Sequence, residues 1–75
     1  MMKIKKGIYR HYKGNLYQVI DVAKHSETLE DMVVYRALYG EGELWTRPLS
    51  MWNEIVLVNG KNYPRFDLIE ERSSD

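Results

Sequence analysis

The chain has 75 residues, eleven basic and eleven acidic side chains, 44% hydrophobic residues and no cysteine. Such a length makes one domain that buries only about 60–65% of the surface its unfolded form exposes. A disulfide scaffold and cysteine-based zinc sites are excluded, and stability has to come from a core of large side chains. The run MMKIKKGIYRHYKG is basic but has no apolar stretch of about 7–15 residues, so no signal peptide is expected. No segment approaches the roughly 18 apolar residues of a membrane helix, so no membrane partner is expected. The lack of cysteine fits a cytoplasmic location.

The charge is unevenly spread. Residues 1–24 carry Lys3, Lys5, Lys6, Arg10, Lys13 and Lys24 against Asp21 alone, while the rest carries five basic and ten acidic groups. A basic arm over residues 1–6, one domain over 7–69 and a frayed polar tail over 70–75 are the expected divisions.

The elements follow in chain order. Ile8 to Lys13 and Leu16 to Lys24 read as strands joined by a two-residue Gly14-Asn15 turn, in which glycine supplies positive φ. That turn sets Tyr12 opposite Tyr17, His11 opposite Gln18 and Tyr9 opposite Ile20. Both resulting faces are partly apolar, which suits a strongly coiled strand rather than a flat, half-exposed sheet. Ser26 to Asp31 is an acidic loop. Met32 to Tyr39, with Val33, Val34 and Tyr35, is the strongest strand former.

Gly40-Glu41-Gly42-Glu43 is a turn, and Leu44 to Arg47 a short strand. From Pro48 the period changes, and Leu49 and Trp52 at helical spacing predict one or two turns over 48–54 that plug a barrel end. Ile55 to Val58 returns to strand. Asn59-Gly60 is a strong hairpin signal leading to Lys61-Asn62-Tyr63. Pro64 confines that strand to an edge. Arg65 to Ile69 closes the sheet. Five to seven short strands and one late helical turn predict an all-β, small SH3-like barrel.

The strings GxYRHYKGNxYxV, HSET, VVYRALYG, WxRPLSM and PRF span residues 7–66. In them the chain resembles the short bacterial family known as domain of unknown function 1653. The resemblance implies an SH3-like barrel of bacterial origin. It implies no activity, and no catalytic or binding residue is carried over from it.

Three kinds of chemistry are written in the residues. His25-Ser26-Glu27-Thr28 has the letters of a hydrolase triad, but triad members come from separate elements, and neighbours in extended chain diverge. The simpler reading is a loop turned by Ser26 or Thr28. His11, His25, Glu27, Glu30 and Asp31 lack paired metal-ligand spacing. Hence no catalytic residue, metal or cofactor is expected, and a hydrolase or metal protein using His11 or His25 is the third reading.

The aromatic and arginine set is richer. Tyr17, Val19, Val33, Tyr35 and Trp52 are expected in the core. Tyr9, His11, Arg36, Trp45 and Arg47 are expected to be partly exposed and to bind a ligand. Arg47 shares a strand face with Trp45, two residues away. The preferred function is a non-catalytic binding module for a peptide, a protein surface or a small polar ligand, acting as a monomer or weak homodimer. In it Arg36 and Arg47 orient the ligand on a platform of Tyr9, His11 and Trp45. The alternative partner is nucleic acid, held by Lys3, Lys5, Lys6, Arg10 and Lys13 on one face.

Overall fold

The computed structural model describes residues 4–72. Seven strands and one helical turn follow in order: β1 (Gly7–His11), β2 (Leu16–Lys24), β3 (Asp31–Ala37), β4 (Leu44–Pro48), α1 (Leu49–Trp52), β5 (Ile55–Val58), β6 (Lys61–Pro64) and β7 (Phe66–Glu71). Five strands form one antiparallel sheet in the order β4-β3-β2-β1-β7, and β5-β6 form a separate hairpin. The last strand returns beside the first, as an SH3-like small barrel requires.

The sheet curls for local reasons. The β2–β3 register shifts between Val19 and Asp21, and the β1–β7 register between Ile8 and Tyr9. Extra residues of this kind bend a strand and increase its twist. At the start of β1 the two backbones come very close. A Cβ on Gly7 would collide with the Glu70 carbonyl oxygen and the Glu71 Cα.

The first hairpin differs from expectation. His11 O accepts from Gly14 N (2.7 Å), while His11 N donates to Asn15 O (2.8 Å). The loop therefore holds three residues, Tyr12-Lys13-Gly14, and Gly14 at φ 109° takes the bulge position. Glycine serves a three-residue loop as readily as a two-residue one. The pairing becomes Tyr9 with Tyr17 and Arg10 with Leu16. An odd shift exchanges the faces, so Tyr9 joins Tyr17 and Val19 on the inner face. The Asn59-Gly60 turn is the expected two-residue type, with φ 51° and 79° and Val58 opposite Lys61.

Eight buried side chains form the core: Ile4, Tyr9, Val19, Val33, Tyr35, Leu49, Trp52 and Phe66, with Tyr17, Val22 and Leu68 packed against them. Tyr17 is thus half-buried, and the other four residues expected in the core are fully inside. The helical turn is shorter than predicted, Leu49 to Trp52, but it buries the two expected residues. Trp52 meets Tyr9 (5.4 Å) and Tyr35 (4.9 Å) edge to face and lies flat on Phe66. Rings from β1, β3, α1 and β7 thereby fill the space between the edge strands β4 and β7.

Backbone and side-chain contacts reach both described ends of the chain. Ile4 belongs to the core, Lys6 O accepts from Arg72 N (2.9 Å), and β7 continues through Glu71. Burial of one isoleucine and a backbone pairing hold residues 4–6 on the barrel. Residues 1–3, including Lys3, and 73–75 lie outside the described residues. Among the described residues no helix is long and apolar enough to cross a membrane.

Candidate functional site

The turn after β1, the end of β4 and the β6–β7 junction meet at one end of the barrel, around Phe66. The His11 ring stands edge-on to Phe66 at 5.0 Å and is tilted against Tyr12 at 4.5 Å. Arg47 Cζ lies 5.7 Å from the centre of the Phe66 ring, a cation–π distance. Tyr17 packs on Phe66 at 5.7 Å, and its hydroxyl shares a 2.8 Å hydrogen bond with that of Tyr39.

Backbone contacts hold this end together. Arg65 N donates to Glu54 O (2.9 Å), and Arg65 O accepts from Tyr12 N (2.9 Å). The Arg65 guanidinium also pairs with Glu54 at 3.2 Å. Arg65 thus fastens the segment after α1 to the β1–β2 turn. It also sets the position of Phe66, the next residue.

Four side chains here leave a donor without an acceptor among the described residues: Trp52 and Arg65, each through one covered nitrogen, and Arg47 and His11. Arg47 is half-buried and makes no hydrogen bond or ion pair among the described residues, and its Nε is fully covered. A guanidinium carries five donors and keeps its charge at any ordinary pH. His11 Nδ1 accepts from Lys13 N (3.2 Å). The proton of the neutral ring is therefore on Nε2, where it has no partner among the described residues. Burial pushes the His11 pKa below its ordinary value, and the charges of Arg65, Arg47 and Lys13 push it further in that direction.

Beside this cluster lies a cleft of about 160 Å³, lined by Arg10, His11, Tyr12, Tyr63, Pro64 and Asp67. His11 both lines the cleft and touches Phe66. Pockets for whole small molecules usually measure about 300–1,000 Å³, so this cleft has room for one side chain or terminal group. A second hollow of about 350 Å³ lies against α1, between Glu30, Asp31, Leu49, Ser50 and Asn53. One wall of it is acidic, and Asp31 is paired with Lys24 at 2.6 Å.

The five residues expected to bind a ligand do not all meet. His11 and Arg47 come together on Phe66. Trp45 is 51% exposed and pairs with Tyr35, so it shares the inner face with Arg47. Tyr9 is a correction. It is only 6% exposed, and its hydroxyl donates to Lys5 O at 2.6 Å, because the longer turn faces it inward. Arg36 is exposed, as expected, but stands apart from His11 and Arg47. It pairs with Leu44, one residue out of phase with Trp45 and Arg47, and therefore projects from the other face. Its Nη1 donates to Gly42 O at 2.7 Å, which braces the 38–43 turn.

The described members of the basic set each have their own neighbours. Lys5 faces Glu71 at 3.8 Å and Lys6 faces Asp21 at 4.0 Å. Arg10 lines the cleft, and Lys13 stands 5.8 Å over Tyr12. His25 Nδ1 accepts from Glu27 N (3.1 Å) and Thr28 N (3.3 Å), and Thr28 Oγ1 accepts from Glu30 N (3.2 Å). The HSET segment is thus a turn built on its own side chains. Among the described residues no group of three or more His, Cys, Asp or Glu could hold a metal ion.

Sequence reasoning undervalued Arg65, Phe66 and Tyr63. They sit in the string Tyr63-Pro64-Arg65-Phe66, and the proline was the one local sign of a chain that leaves one sheet and enters another.

The fold and site together define a small all-β barrel with an aromatic and cationic end. The family described as "Protein of unknown function (DUF1653)" matches residues 7–68. The chain belongs to the DUF1653 family. It is similar to a solved structure of a DUF1653 protein from Bordetella bronchiseptica, with 36% identity and a TM-score of 0.85 over 97% of this chain and 96% of that one. No curated protein matches it. That neighbour is bacterial, in line with the origin expected from the sequence strings.

Proposed function

We propose that this protein is a non-catalytic binding module that docks a peptide segment or polar ligand on the aromatic and arginine end of the barrel. It acts in the cytoplasm as a monomer or weak homodimer. The observation that carries this reading is Arg47: a half-buried guanidinium laid over Phe66, beside His11, with no acid among the described residues to neutralise it. Burying part of a charge without a partner costs free energy, and an incoming acceptor recovers it. Trp45 and Tyr39, both about half exposed, widen the contact platform.

Nucleic acid remains the second partner to be tested, with less support, since Lys5 and Lys6 each face an acid of a neighbouring strand. A peptide-array screen with the wild-type chain and Arg47→Ala tests the proposal, run beside labelled single-stranded RNA and DNA at two salt concentrations. Losing a charge-assisted contact costs about 1.5–3 kcal/mol, about ten- to a hundredfold in affinity. Peptides that bind the wild type and lose that much to Arg47→Ala support the reading. Peptides held equally by both proteins, or steeply salt-dependent binding of nucleic acid alone, contradict it.

A further inference from the structure

Taking the binding reading above as its basis, we propose that the site receives one carboxylate of an extended peptide, gripped by the exposed tips of the Arg47 guanidinium and by His11 Nε2–H, with a neighbouring side chain in the cleft. The two donor groups flank the same ring, Phe66, and neither has an acceptor among the described residues. A planar guanidinium matches a carboxylate in two parallel hydrogen bonds. Because Arg47 Nε is covered, the contact falls to the terminal nitrogens.

The surroundings favour a monoanion. The Arg65 guanidinium is paired with Glu54, while Arg47 and Lys13 near His11, and Arg10 in the cleft lining, have no ion pair among the described residues; Asp67 also lines the cleft. Asp67 in the cleft lining opposes a second negative charge on the ligand. The cleft walls suit the flanking part of a peptide. Tyr12, Tyr63 and Pro64 give apolar surface for one side chain, and about 160 Å³ is too little for a nucleotide.

His11 adds a proton dependence. The groups that face it are Lys13 of the turn, Arg47 of β4, Arg65 before β7, Tyr12 and Tyr17 against its ring, and Arg10, Tyr63 and Asp67 around the cleft. Burial and the neighbouring cations hold the His11 pKa below its ordinary value. A bound carboxylate opposes those cations, so binding takes up a proton and strengthens as pH falls through the His11 titration.

The test follows the His11 ring and Arg47 Nε–H signals of the full chain by NMR. Four probes are titrated: a peptide with a free C-terminal carboxylate and no acidic side chain, a C-terminally amidated peptide with one internal glutamate, the same amidated peptide with glutamine, and inorganic phosphate. The expected result is saturable shifts with either carboxylate peptide, at least tenfold weaker binding of the glutamine peptide and of phosphate, and a raised His11 midpoint in the complex. Which carboxylate peptide binds tells whether the group is a chain terminus or a side chain. Arg47→Ala should abolish the shifts, and Arg47→Lys should retain part of the affinity. Equal binding of the glutamine peptide overturns the carboxylate assignment while leaving a peptide-binding module. Tighter binding of phosphate overturns it in favour of a general anion site. No shift at either signal with any probe, in a chain whose spectrum stays folded, overturns the assignment. Loss of array binding by Arg47→Ala would then still uphold the broader reading.

Discussion

The Trp52 and Phe66 rings lie face to face, with centroids 3.6 Å apart and planes 2° from parallel. One ring comes from the helical turn and the other from the closing strand, so this stack joins the two parts of the chain that close the barrel. Truncating a buried tryptophan costs about 3–5 kcal/mol. A domain of this size has only about 4–11 kcal/mol in total. Trp52→Ala should therefore lower the urea midpoint by about a quarter or more, or leave the chain unfolded at 25 °C. A loss under about 1 kcal/mol would mean that the stack does not close the fold.

Gly7 marks the close approach of β1 to β7, where any Cβ meets backbone rather than a movable side chain. Gly7→Ala should cost at least the roughly 1–3 kcal/mol typical of overpacking. Gly14→Ala has open space around it and suffers only from its positive φ. Thermal melts of the two variants should rank Gly7→Ala as clearly the worse.

The Tyr17 hydroxyl is pushed up to about 12, first by burial and then by its hydrogen bond to Tyr39. An unfolded tyrosine ionises near pH 10. The raised value therefore stabilises the fold fully below pH 10, and this stabilisation is lost as pH rises through the folded value. Ultraviolet titration should show Tyr17 ionising late, alongside Tyr9, which burial also pushes up, and Tyr39→Phe should bring Tyr17 earlier. A set of tyrosines that all titrate near pH 10 in the folded chain would contradict the Tyr17–Tyr39 hydroxyl pair.

His11 has the opposite sign. Its folded pKa lies below the ordinary 6.5, so the unfolded chain takes up the proton first. The stabilisation is present above pH 6.5 and is lost as pH falls through the lowered folded value. His11→Gln should flatten that part of the stability curve between neutral and mildly acidic pH. Proton NMR should place the His11 midpoint below 6.5 in the free protein.

Strand positions were legible because Val33, Val34 and Tyr35 or Ile55 to Val58 have few alternatives in a short chain. The facing of β1 was not, because Gly14 can occupy either of two turn geometries that differ by an odd register shift. That single ambiguity placed Tyr9 at the surface when it belongs inside. Arg36 and Arg47 look alike in the sequence, yet the β3–β4 pairing separates their faces. Arg65 and Phe66 were hard to weigh because their neighbours, His11 and Arg47, are far away along the chain.

The most direct test compares two single changes by isothermal titration with a peptide taken from the array. Arg36→Ala and Arg47→Ala each remove one cation from adjacent strands, but only Arg47 lies on Phe66 beside His11. Affinity within about twofold of wild type is expected for Arg36→Ala, and binding weaker by about tenfold or more for Arg47→Ala. Equal losses in both variants would contradict this expectation.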